Sequence, residues 1–407
     1  MKQFLLVTML AAGSAFAQTF TNYTSADGLL SDNVNCLDVA SGDVLWFGSQ
    51  NGVSVFDGVT WTEHTVSTDS GLVNNTIQAI CVTSAGDVWV GTDFGASFFD
   101  GNSWSTFTTA DGLGNNQIKC IEEDAQGDIW FGTNTGVSEY NGSTWMTIGT
   151  ADGLPFGGVT AIAFESNGNV WLGSGLGGVS VYDGTNLAPI TSSNDGLVDD
   201  RIRALQFDNQ DQRWVGTSKG ISVLDNTNLL STNHTQIYSM PAPDTLNPIE
   251  DIAMDNSGNI WVGVYVDYLV TEGGICAFDG FDWTEYHVSD GLVGPVIRAL
   301  SVDSQNNIWI ATSTGVSKLS NHQVGLNESN QADWFIGPNP SEGLFRIALK
   351  HSKGTDSNVK VFTSDMRLVQ NNVLLAGEKT LDLSLEAEQS GIYFVVFDGS
   401  IQRIVRL

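Results

Sequence analysis

Short apolar runs, each closed by a glycine or polar turn, return along the chain behind one marker. A Trp leads an apolar, then small, residue run at Trp46, Trp89, Trp130, Trp171, Trp214, Trp261 and Trp309, at spacings of 43, 41, 41, 43, 47 and 48 residues. The third copy shows the unit most plainly: Asp111-Gly112-Leu113, Ile118, Gly127-Asp128-Ile129-Trp130-Phe131-Gly132-Thr133, Gly136-Val137-Ser138-Glu139-Tyr140-Asn141-Gly142 and Trp145. Inner strands such as Ile77-Gln78-Ala79-Ile80 alternate only weakly, as strands do when both faces are covered. Turns such as Ser166-Asn167-Gly168-Asn169 tolerate the positive φ of tight hairpins. Each unit thus predicts four antiparallel strands, the outermost beginning at Trp61, Trp104, Trp145 or Trp283. One such sheet cannot bury its two faces alone, so seven copies predict an all-β, seven-bladed β-propeller. The seven marker Trp residues, fixed in one slot between blades, belong to its core rather than to a sugar-stacking platform.

The ends of the repeat region predict how the ring closes. The seventh copy stops after Val316-Ser317-Lys318-Leu319 without an outer strand, whereas Phe20-Thr21-Asn22-Tyr23-Thr24 stands as an outer strand with no blade. The N-terminal strand is therefore expected to complete the last blade and cover a sheet edge.

Outside the ring, residues 1–17 read as a signal peptide: Lys2, an apolar stretch from Phe4 to Ala12, then Ala15-Phe16-Ala17 before Gln18. The propeller spans 18–320 and a polar linker 321–333. Residues 334–407 carry short alternating strands with turn signals, the composition of a small immunoglobulin-like β-sandwich. No later apolar run reaches the roughly 18 residues of a membrane-spanning helix.

Copies such as Asp255-Asn256-Ser257-Gly258-Asn259-Ile260-Trp261-Val262-Gly263 resemble the two-component regulator propeller family across residues 20–320. That resemblance implies a sensing or glycan-recognising propeller, although no kinase and no second ring is found here. Gly337-Pro338-Asn339-Pro340 and Gly391-Ile392-Tyr393-Phe394-Val395 resemble the C-terminal sorting domain of type IX secretion. This second resemblance implies outer-membrane secretion machinery as a partner, removal of the domain on export, and a protein released or held at the cell surface.

Net charge is −30, and nearly all of it lies in the repeat region. Such a surface repels nucleic acid and anionic membranes. Against that background Lys119, Arg203 and Arg298 share one repeat position, held elsewhere by Asn35, Gln78, Thr160 and Glu250. At the start of the inner strands they predict a positive axial mouth suited to carboxylate or sulfate, unless nearby acids such as Glu122, Asp200 and Glu250 pair with them. The longer spacings place insertions in the fifth and sixth copies, whose Tyr238, Tyr265, Asp267 and Tyr268 suit stacking on sugars and hydrogen-bonding their hydroxyls, or are tolerated surface loops.

Catalytic motifs are thin: the five histidines are scattered, and no nucleophile elbow, zinc spacing or phosphate loop is present. Asp199-Asp200, Glu122-Glu123-Asp124 and Glu250-Asp251 are oxygen donors of the kind calcium takes, or solvated turn acids. No cofactor is expected. The function expected is a secreted or surface-held module binding an extracellular ligand, a glycan first. A polysaccharide lyase or hydrolase using His234, Glu250 and Asp251 is the enzyme alternative, and adhesion to a partner protein the third. The four cysteines, with Cys36 and Cys120 in the small-residue slot of Ala161 and Ala204, read as buried thiols.

Overall fold

The computed structural model describes residues 18–239, 246–265, 272–280 and 283–322, and in the C-terminal unit 334–337, 343–349, 357–363, 367–385, 387–397 and 400–406. The signal-peptide segment and most of the linker lie outside these. The chain divides into two compact units, residues 1–322 and 323–407.

Seven four-stranded antiparallel sheets make up the first unit. Blade 3 is representative: inner strand Ile118–Glu123, then Ile129–Thr133, Gly136–Tyr140 and outer strand Trp145–Gly149. Thr19–Tyr23 is the fourth strand of blade 7, pairing antiparallel with Gly315–Ser320 from Thr19 opposite Ser320 to Tyr23 opposite Val316. The closure expected from the sequence is thus the one found. Aromatic packing holds it, because the Tyr23 ring stacks on Trp309 at 5.6 Å and meets Phe56 of blade 1 at 5.3 Å.

Each blade buries its marker Trp against the next. The Trp-x-Gly glycine makes the approach close: a Cβ on Gly173 would lie 2.6 Å from Ile202 Cγ2 of the following blade. A polar device fixes the indole. Trp130, Trp214, Trp261 and Trp309 each donate Nε1–H to the Asp six residues earlier, at 3.0, 3.0, 3.1 and 2.9 Å. The same Asp caps its own hairpin turn; Asp124, for example, accepts Gln126 and Asp128 N–H. Blade 4 has Glu165 in that position, and its carboxylate is instead drawn to the buried Arg213 of blade 5. Trp171 Nε1 is left buried without a partner among the described residues. Cys36, Cys81 and Cys276 are buried and unbridged, and burial pushes their thiols up.

The second unit packs a three-stranded sheet (Trp334–Gly337, Leu344–Leu349, Thr380–Ser384) and a four-stranded sheet (Leu368–Leu374, Ser357–Thr363, Gly391–Phe397, Ser400–Arg406). Phe345, Ile347, Val359, Val361, Tyr393 and Val395 fill its core. This is the sandwich expected from the sequence.

Candidate functional site

The inner strands enter the sheets with a bulge. Pairing skips from Ile118 to Cys120, from Ile202 to Ala204 and from Ile297 to Ala299. The residues skipped are Lys119, Arg203 and Arg298; Asn35, Thr160 and Glu250 hold the same position in blades 1, 4 and 6. A bulged residue is unpaired on the strand and its side chain is re-aimed, here at the rim where the inner strands begin. Neutral members of this set staple neighbouring blades: Asn35 Nδ2 donates to Ile77 O at 2.9 Å and Thr160 Oγ1 to Ile202 O at 2.8 Å.

The three bases differ in their company. Lys119 Nζ lies 3.8 Å from Asp93 Oδ1 in the second-to-third turn of blade 2. Arg203 pairs with Glu250 and donates Nε–H to Ser218 Oγ at 3.1 Å. The Arg298 guanidinium faces the Tyr265 ring at 5.8 Å, and among the described residues no carboxylate pairs with it. Lys119 and Arg298 are exposed and Arg203 half-buried. The pairing anticipated with Glu250 is therefore present at Arg203, while Lys119 takes Asp93 rather than Glu122. The rim alternates charge instead of being uniformly positive.

Beyond the bulge the channel wall turns acidic, at Asp38 and Glu122 three residues on and at Asp251 one residue on. Asp38 accepts Val39 N–H and, from blade 2, Val82 N–H, at 2.8 and 2.7 Å. Asp251 accepts Ile252 N–H at 2.8 Å and Leu300 N–H of blade 7 at 2.7 Å. Glu122 is exposed on its inner strand with protein crowded around its carboxyl. Desolvation, then the facing Asp38 and Asp251, push its carboxyl up to about 8. Desolvation also raises Asp38 to about 6 and Asp251 to about 7, against the N–H groups that favour their charged forms.

Two of the expected loop tyrosines need correction. Tyr238 is 7% exposed, its hydroxyl donating to Gly273 O at 2.8 Å and meeting His287 Nδ1 at 2.6 Å. Tyr265 is 5% exposed at the end of its strand, opposite Gly273. The Tyr238 ring folds back on the glycine pair that opens the third strand, and the Tyr265 ring lies buried beneath the Arg298 guanidinium, so neither projects from its loop into solvent. Asp267 and Tyr268 lie outside the described residues. His234 is likewise a packing residue: it stacks on Trp214 and accepts Trp283 Nε1–H at 3.3 Å, and burial pushes its pKa down. It occupies an outer strand, whereas Glu250 and Asp251 occupy an inner one. With strands about 4.8 Å apart, a sheet's width separates them, and the acid-base set of the enzyme alternative does not assemble.

The paired acids have structural duties. Asp199 receives Lys219 at 2.7 Å and Arg201 at 3.4 Å, and Glu123 takes Ser84 of blade 2. Among the described residues, Asp124, Asp128 and Glu139 bring carboxylate oxygens within 4.8 Å of one another.

Sequence reasoning missed apolar side chains exposed on the loops of the cation-bearing face, most of all Phe94, Phe156 and Leu176 at 60%, 81% and 66%. An apolar residue type reads as core by default; the only signal was that these replace polar residues at equivalent repeat positions.

The two component regulator propeller model matches residues 71–94, 112–135 and 291–314, and the secretion system C-terminal sorting domain model matches 336–406. No curated protein matches the chain. Among solved structures it is similar to PorZ, a bacterial surface component of the type-IX secretion system of Porphyromonas gingivalis, at 18% identity and TM-score 0.54, covering 92% of this chain and 59% of that one. The extracellular domain of the putative hybrid two component system BT4673 from B. thetaiotaomicron gives 15% identity and TM-score 0.60, covering 96% and 58%. A streptogramin B lyase structure gives 15% and 0.57, covering 74% and 97%. The chain spans about three fifths of the first two, and all three likenesses are of fold. The sorting domain marks the chain for export to the cell surface or beyond. Among the described residues no helix is long and apolar enough to cross a membrane.

Proposed function

We propose that this chain, built of two component regulator propeller repeats and tailed by a sorting domain, is an exported binding module. Its ligand is an extracellular glycan bearing carboxylate or sulfate groups, held at the axial mouth. One observation carries the reading: Lys119, Arg203 and Arg298, three of the few bases in a strongly acidic ring, are turned by bulges to a single rim. Arginine forks fit planar oxyanions. Asp93 and Glu250 hold two of the bases in place until an anionic group competes for them. The surface roles named for PorZ and for the two component extracellular domain are in keeping with this reading.

Calorimetry with acidic and neutral oligosaccharides of equal length tests it. Acidic ligands are expected to bind without product release, more weakly as salt is raised. Lys119→Ala with Arg298→Ala should lower affinity about tenfold or more, the loss of one to two charge-assisted contacts. Equal binding of neutral ligands, or undiminished affinity in the double variant, overturns the proposal.

A further inference from the structure

We infer that Phe156 and Leu176 form an apolar anchor beside this mouth, and that the ligand is an acidic glycan whose sugars carry methyl-bearing acyl groups such as N-acetyl. The inference rests on the glycan reading above and narrows it.

The first ground is a departure from the repeat. In blades 1, 2, 3 and 5 the residue equivalent to Phe156 is Ser31, Asn74, Asn115 or Asp199, and its side chain accepts the N–H two residues on, at 3.2, 2.7, 2.8 and 2.8 Å. Blades 4, 6 and 7 have Phe156, Leu246 and Gly294 there instead, and blade 4 exposes the largest of these side chains, 81% in water against 40% for Leu246. The loop holds its shape by other means: Gly157 and Gly158 take φ of 111° and 70°, and Ser174 Oγ donates to Phe156 O at 3.0 Å. Losing a cap and exposing a large apolar side chain both act against stability. Departures of that kind concentrate where a surface binds something.

The second ground is position. Leu176, 66% exposed, sits on the adjoining second-to-third turn, which touches the Phe156 loop so closely that a Cβ on Gly157 would lie 2.9 Å from Leu176 N. A Cβ on neighbouring Gly175 would lie 3.5 Å from Thr160 Cγ2, the rim residue of this blade. The pair therefore borders the channel mouth. It lies between blade 3, which supplies Lys119, and blade 5, which supplies Arg203, with the short Thr160 between them.

The third ground is chemistry. A phenyl and an isobutyl group on adjoining loops offer no donor or acceptor. They gain by covering C–H and methyl surface, at about 25 cal/mol per Å² removed from water. Flanking bases at the same rim call for an anionic group next to that surface. A glycan alternating uronate with N-acylated sugars presents the two in register, whereas one built of uronates alone lacks the methyl groups.

The test compares hexasaccharides alternating glucuronate and N-acetylglucosamine with galacturonate oligomers of equal charge, by calorimetry on the exported chain. Wild type should prefer the N-acetylated ligand about tenfold. Phe156→Ser with Leu176→Ser should bring that ratio close to one, while Val59→Ser, at an exposed turn of the opposite face, should leave it unchanged. Both oligomers binding alike to wild type, or a ratio that survives the double substitution, overturns the anchor. Failure of every acidic oligosaccharide to bind sinks the glycan reading itself. An acidic peptide whose binding is lost in the Phe156 and Leu176 variant would reassign the anchor to a polypeptide and overturn the ligand class.

Discussion

One residue concentrates the risk in this fold. Arg213 is 2% exposed in a strand position filled by Ile129, Val170, Ile260 or Ile308 in other blades. Its guanidinium pairs with Glu165 of blade 4, donates to Asp211 O and Asp225 O at 2.5 and 3.1 Å, and lies 5.7 Å from the Trp171 ring centroid. Removing one member of a buried pair strands the other charge. Arg213→Ala is therefore expected to lower unfolding free energy by about 3–5 kcal/mol, measured by chemical denaturation. Replacing both residues with leucine should recover most of that loss, because no buried charge then remains; a double variant as weak as Arg213→Ala would remove the pair from the account. Sequence showed none of this, since Glu165 reads as another turn acid and Arg213 as another surface base. The rim position of Lys119, Arg203 and Arg298 was readable, because a repeat aligns what the fold superposes. Their ion pairs were only partly readable, because Asp93 and Ser218 come from second-to-third turns whose reach the repeat does not encode.

Among elements, the closing strand was the most readable and bears the clearest consequence. Register from Thr19 to Tyr23 supplies the outer edge of blade 7, and Asn22 adds two side-chain bonds, donating to Gly291 O at 2.9 Å and accepting Ser317 Oγ–H at 2.7 Å. Deleting residues 18–25 removes this ladder and the Tyr23 ring that Trp309 stacks on. Loss of one core aromatic alone costs about 3 kcal/mol or more, so the denaturation midpoint should fall sharply, and a synthetic peptide of the deleted residues should restore part of it. An unchanged midpoint would mean that the ring closes otherwise. Loops were read less well than strands. Tyrosines beside insertions look like binding residues in a sequence, but an inserted segment can also turn inward, and the glycine pair Gly273-Gly274 leaves room for Tyr238 to do so: a Cβ on Gly274 would meet its ring at 2.6 Å. Phe156 failed in the opposite sense, because only its context in the repeat, not its residue type, marks it as exposed.

At the scale of the whole ring, the axis gathers charges that lie far apart in the chain. Asp38, Glu122 and Asp251 come from blades 1, 3 and 6, yet they face one channel and all titrate high, Glu122 to about 8. A carboxyl raised in the folded state binds its proton more tightly there than in the unfolded chain. Between the ordinary carboxylate range and the raised values the native state therefore holds more protons, and stability must fall as pH rises through that window. The stabilisation is complete at and below the unfolded pKa and is lost as each folded pKa is passed, from about 6 for Asp38 to about 8 for Glu122. Because Glu122 is exposed on its strand, screening tempers its share. Wild type should accordingly melt at a lower temperature at pH 8.5 than at pH 5.5. Glu122→Gln, which keeps the shape and removes both the charge and the proton, should narrow that difference by raising the melting temperature on the alkaline side. As pH rises through that window, the channel beneath the rim of Lys119 and Arg298 gains negative charge. A melting temperature flat in pH, or a Glu122→Gln profile parallel to wild type, would show that the three carboxyls are solvated independently and that the axis does not couple the blades electrostatically.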